Sequence, residues 1–194
     1  MRKLLALLLT LCFALTAACA ETAAPAQPQP DGAQSDVLVA CFSATGNTRA
    51  VAETLAELLG ADLYEIVPAE PYTEEDLDYG NSQSRTSLEM DDPDARPAIA
   101  GELPDLTGYT TLYLGYPIWH GEAPRILATF VEACDLTGKT VIPFATSGGS
   151  GVEGAARNLA KAYPQARWKG GKLLNGSGAA AWAKSALEDR TPSA

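Results

Sequence analysis

The chain is poor in the residues from which most catalytic and metal centres are built. It has one histidine, His120, and four cysteines, none of them spaced as CxxC. No metal-binding cysteine spacing is therefore present. Cys12 and Cys19 lie in the first twenty residues. Cys41 and Cys134 fall on a predicted strand and a predicted helix. A disulfide between these two stays open but is not implied, and Cys41 reads as a small core residue. No GxSxG elbow accompanies His120, which argues against a Ser-His-Asp hydrolase. GxxxxGK[ST] and GxGxxG are both missing, which argues against a Mg-nucleotide and a dinucleotide. Positive charge is scarce as well, with 14 Lys and Arg against 24 Asp and Glu and a net charge of -10. Nucleic acid is not an expected partner, because its phosphate backbone demands the opposite sign. The acidity reads as a solvated surface, with steering of basic protein partners as the alternative.

The one long apolar run stands at the start. Arg2-Lys3 precedes Leu4 to Ala18, which only Thr10, Cys12 and Thr16 interrupt. This is short for a membrane span. Followed by Ala17-Ala18-Cys19-Ala20, residues 1–20 read as a signal peptide cleaved after Ala20. A second reading stands beside it. Thr16-Ala17-Ala18-Cys19 resembles a bacterial lipobox, with Thr16 where that pattern favours leucine. Cys19 would then be lipidated and anchor the chain to a membrane. Either reading puts the protein outside the cytoplasm. Residues 21–35, rich in Ala, Pro and Gln, read as a flexible linker. Residues 36–190 remain for one domain with a sizeable core.

Strand and helix signals alternate along that domain. The continuous apolar run Asp36 to Phe42 predicts a strand covered on both faces. Val51, Leu55, Leu58 and Leu59 predict a helix that stops at Gly60. Further strands are expected at Leu63 to Val67, Thr111 to Tyr116 and Thr140 to Ala145, and a weaker one between Ala166 and Leu174. Pro124 opens a helix with Ile126, Leu127, Phe130, Val131 and Cys134 on one face. Helices are also expected at Val152 to Tyr163 and from about Ala179 to Leu187. Such βα alternation predicts a parallel sheet between two helical layers. Pro68 to Gly108 breaks the pattern. Where a crossover helix is due, Pro68, Pro71, Pro93, Pro97 and Pro104 punctuate an acidic stretch with room for a short helix over Asn81 to Met90. A loop of this length is often functional. Tyr72 and Tyr79 within it read as surface packing, with covering a ligand as the alternative.

Ligands of open parallel sheets bind beyond the C-terminal strand ends, and three loops occupy that edge. The first is Ser43, Ala44, Thr45, Gly46, Asn47 and Thr48. It joins a strand to a helix N-terminus, whose free N–H groups and dipole attract an anion. Its side-chain donors are neutral, which suits a single phosphate monoester such as FMN carries. A helix cap without ligand is the alternative. The second contains Pro117, Ile118, Trp119 and His120. Trp119 can stack on a planar ring or pack in the core. His120 reads as a proton donor or as an ordinary loop residue. The third contains Thr146, Ser147, Gly148 and Gly149, whose backbone can approach a ligand closely or simply turn. A phosphate site, an aromatic platform and a backbone-lined slot on one edge match the shape of FMN. No metal-ligand set is seen.

Gly115-Tyr116-Pro117-Ile118-Trp119 and Thr146-Ser147-Gly148-Gly149-Ser150-Gly151, together with Ser43 to Thr48, resemble flavodoxin-like proteins of the bacterial type with GYPIW and TSGGSG loops. The resemblance runs from about Asp36 to Leu187. It implies a three-layer α/β sandwich, a five-stranded parallel sheet in order 2-1-3-4-5 and noncovalent FMN. It implies that Ser43 to Thr48 hold the phosphate and that Pro117 to His120 line the isoalloxazine, with Trp119 stacking. It implies that Thr146 to Gly149 meet the other ring edge through backbone groups. The chain departs from short-chain flavodoxins in its export signal and in lacking their aspartate-glycine signature in the second loop. The expected function is electron transfer between redox partner proteins outside the cytoplasm. An FMN-dependent NAD(P)H:quinone-type oxidoreductase is the alternative, and a binding module that lost its flavin is a third. A hydride donor's phosphates usually need basic residues, and only Arg49 and Arg125 stand near the loops.

Overall fold

Strand β1 (Val37–Cys41) is buried at every position, and its side chains alternate between two cores. Val37, Val39 and Cys41 enter one core, while Leu38 and Ala40 enter the other with Phe42 beyond the strand end. That is the period-2 consequence of a strand covered on both faces. The computed structural model describes residues 35–175 and 178–190. The signal peptide expected over 1–20, the lipidation expected at Cys19 and all but the last residue of the linker expected over 21–35 lie outside these residues.

Helix α1 (Asn47–Leu59) follows β1, and β2 (Asp62–Glu65) pairs parallel to it. After a long crossover come β3 (Thr111–Pro117), α3 (Ile126–Ala133), β4 (Thr140–Thr146) and α4 (Glu153–Ala162), with α2 (Arg85–Asp91) inside the crossover. The sheet order is β2-β1-β3-β4-β5, with β5 at Arg167–Trp168, all parallel. The fifth position is divided. The two-residue strands β5 (Arg167–Trp168) and β6 (Lys172–Leu173) both pair with β4, separated by Lys169-Gly170-Gly171. Helix α5 (Ala179–Arg190) packs beside α1 on one face, and α3 and α4 cover the other.

The helices match the sequence pattern with one shift. On α1, Leu58 is partly exposed, and Ala52 and Ala56 complete the buried stripe with Val51, Leu55 and Leu59. Gly60 ends the helix in a left-handed conformation, as expected. Cys41 and Cys134 are free thiols in opposite cores, so the disulfide left open by the sequence is not formed.

The crossover is an excursion with a closed neck. Pro68 and Ile99 form an antiparallel bridge, backed by Ala69 N–H to Ala98 O at 2.8 Å and Ala100 N–H to Val67 O at 2.8 Å. Its outer part is tied to α3. The Arg125 guanidinium donates to the carbonyls of Glu89 and Met90, where α2 ends, and so satisfies two orphan acceptors. Arg96 holds both carboxylate oxygens of Glu132 at 2.8 Å. This fixes the excursion beside the C-terminal edge of the sheet.

Candidate functional site

The first loop closes around Gly46, whose φ of 85° starts α1 from the left-handed region. A side chain there would be strained, so glycine is the residue this turn needs. No side chain caps α1, and its first turn carries no acid despite the acidic composition. Its leading N–H groups are therefore open to an anion. Asn47 Nδ2 donates to Thr45 Oγ1 at 3.1 Å, which shapes the loop from within. Thr48 points inward: its hydroxyl lies 2.8 Å from that of Thr146, and both residues are buried.

The third loop is organised by Ser147. Its hydroxyl accepts from the N–H groups of Ser150 at 2.8 Å and Gly149 at 3.2 Å. Asn175 then clamps the Ser147 backbone from beyond β6. Ser147 N–H donates to Asn175 Oδ1 at 2.9 Å, and Asn175 Nδ2 donates to Ser147 O at 2.7 Å. The sequence reading missed Asn175. It follows the weakest strand of the sheet, but it stands at the same C-terminal edge as the other three loops.

The second loop makes a tight hairpin. Trp119 and Glu122 exchange two backbone bonds at 3.0 and 2.9 Å, and His120 and Gly121 both have positive φ. This is the geometry of a type I′ turn, which costs a residue such as His120 some strain. His120 is exposed, with Nε2 3.5 Å from Ser87 Oγ and its ring edge-on to Tyr79 at 5.7 Å.

Trp119 corrects the sequence expectation. It is 1% exposed and packs edge-to-face against Phe42 at 5.3 Å and Tyr72 at 5.0 Å. Its ring is buried in the core, so in this structure it is not an open platform. Tyr72 is itself held. It donates to Glu89 Oε2 at 2.7 Å and lies under the Arg85 guanidinium at 4.0 Å. Burial, and then the hydrogen bond to Glu89, push its phenol far above the ordinary value.

The three loops enclose one cavity of about 800 Å³. Thr45, Gly46 and Asn47 line it from the first loop, Pro117 and Ile118 from the second, and Thr146, Ser147 and Gly148 from the third. Asn175 and Tyr79 also line it, with Ala50, Val51 and Thr54 of α1. The remaining expected residues are not part of the lining: Ser43 and Ala44 are half-buried, Thr48 and Trp119 are buried, and His120 and Gly149 are exposed. The volume is that of a small-molecule site. A neutral donor cradle at one end and apolar walls elsewhere suit a ligand with one anionic group and a planar body.

Known proteins share this architecture. A candidate flavoprotein from Bacteroides eggerthii is 50% identical, with a TM-score of 0.75 over 79% of this chain and 96% of that one. A second, from Bacteroides uniformis, is 46% identical, with a TM-score of 0.76 over 80% of this chain and 99% of that one. A flavoprotein from Lactobacillus acidophilus, solved in complex with FMN, shares the fold at 19% identity and a TM-score of 0.58, over 76% of this chain and 97% of that one. No curated protein matches the sequence. A family model described as Flavodoxin matches residues 36–189. With the sheet order and the shared edge of loops, that match makes the chain a member of the flavodoxin family.

Proposed function

We propose that the protein binds FMN in this cavity and carries electrons between redox partner proteins outside the cytoplasm. The observation that carries the reading is the convergence of three separate loops on one cavity at the C-terminal edge of the sheet. The residues fit the group. The open N–H groups at the start of α1 match a phosphate monoester, and the uncharged loop needs no metal to balance it. Pro117 and Ile118 offer an apolar wall, and the Ser147 segment offers backbone groups in a fixed arrangement. FMN, when bound, supplies the electron chemistry, and the protein's part is to hold it and exclude water.

Electron carriage is favoured over NAD(P)H oxidation because the nearby bases are already engaged. Arg49 pairs with Glu53 at 2.8 Å and Glu65 at 3.3 Å. Arg125 is spent on the α2 carbonyls. Neither is left to take a nicotinamide donor's phosphates. The extracytoplasmic location rests on the leader sequence, with anchoring through Cys19 as the version that adds a membrane. Replacing Cys19 by Ala and following membrane retention separates the two.

The test is steady-state oxidation of NADH and NADPH by the FMN-loaded protein, with and without a quinone. The carrier reading expects no turnover above free FMN. Saturable turnover would establish the oxidoreductase instead.

A further inference from the structure

We infer that Tyr79, supplied by the β2–β3 crossover, is the aromatic residue that stacks on the flavin ring, in the place the sequence assigned to Trp119. The inference rests on the proposed FMN site and names its ring-binding residue. Three observations carry it. Tyr79 is the aromatic residue among those lining the cavity. It is 53% exposed, so its ring retains contact area to bury, whereas Trp119 has none. It is also held in place before any ligand arrives.

That holding is local and specific. Asp78 Oδ1 accepts from Gly80 N–H at 3.0 Å, Asn81 N–H donates to Asp78 O at 3.1 Å, and Thr86 anchors the turn through two bonds to Asp76 O. The His120 ring stands edge-on to the Tyr79 ring at 5.7 Å and 68°. Burial raises the Tyr79 phenol above its ordinary value. An exposed aromatic residue fixed by its neighbours loses little freedom when a ring settles on it. The proline-broken crossover thus has a purpose: its closed neck and its ties to α3 bring Tyr79 to the sheet edge.

The test compares wild type, Tyr79→Ala and Tyr79→Phe in titrations with FMN and with riboflavin, read by quenching of flavin fluorescence. Tyr79→Ala should weaken both ligands by about tenfold and leave residual fluorescence in the complex, because stacking does not involve the phosphate. Tyr79→Phe keeps the ring and should restore both affinity and quenching. Equal binding and quenching in Tyr79→Ala and wild type would overturn the assignment while leaving the FMN site standing. A loss confined to FMN would also overturn it, since the defect would then lie at the phosphate. Failure of folded wild type to bind FMN would overturn the assignment and the proposed function together.

Discussion

The hydroxyls of Thr48 and Thr146 meet at 2.8 Å, both residues buried, and join the start of α1 to the end of β4. This bond locks the first and third loops to each other. Removing one partner should cost more than removing both. Thr48→Val leaves the Thr146 hydroxyl buried and unpaired, at about 1–3 kcal/mol. The double variant Thr48→Val/Thr146→Val should recover much of that loss. Urea denaturation of the four proteins measures the cycle, and strictly additive losses would mean that the pair is not coupled.

Asn175 is predicted to hold the third loop in its binding shape. Asn175→Ala removes both bonds to the Ser147 backbone and should destabilise by about 1–2 kcal/mol. Asn175→Asp keeps the acceptor, loses the donor and adds a negative charge to a cavity proposed to take a phosphate. FMN affinity should therefore fall in both variants. Calorimetric titration checks this, and an unchanged affinity in Asn175→Asp would remove Asn175 from the site.

Gly115 is required by close packing. A Cβ there would collide with the ring of Phe144, its register partner on the neighbouring parallel strand β4. Gly115→Ala should destabilise by about 1–3 kcal/mol, and Phe144→Leu in the same chain should relieve part of it. Melting temperatures of the single and double variants report the rescue.

Stability should fall at alkaline pH. Burial, with Glu65 adding repulsion, pushes the Cys41 thiol from 9.0 up to about 12, and burial pushes Cys134 up to about 11. Above pH 9 the unfolded chain ionises these thiols and the folded chain does not. The unfolded state then binds fewer protons, so stability is full below pH 9 and declines as pH rises toward 11 and 12. Urea midpoints at pH 8 and pH 10.5 measure the decline. Cys41→Ala should flatten it, and an unchanged slope would assign it to other groups.

The sheet was legible because its signals are local. Val37 to Cys41 is apolar throughout, and a strand without a polar face must be covered twice. Gly46 and the uncapped α1 were legible for the same reason, since a strand–loop–helix junction is written in adjacent residues. Trp119 was not. Whether it stacks on a ligand or fills a core depends on Phe42 and Tyr72, which the fold brings from 77 and 47 positions away. Tyr79 depends on the path of a crossover with no periodicity. Asn175 follows a strand of two residues, too short to carry a pattern.

The most direct measurement is an FMN titration of the purified protein, followed by flavin fluorescence and visible absorption, with riboflavin alongside. The account predicts saturable binding of one FMN per chain with quenched emission, and weaker binding of riboflavin because it lacks the phosphate that Gly46 and the α1 N–H groups receive. A folded protein that leaves FMN emission unchanged would contradict it.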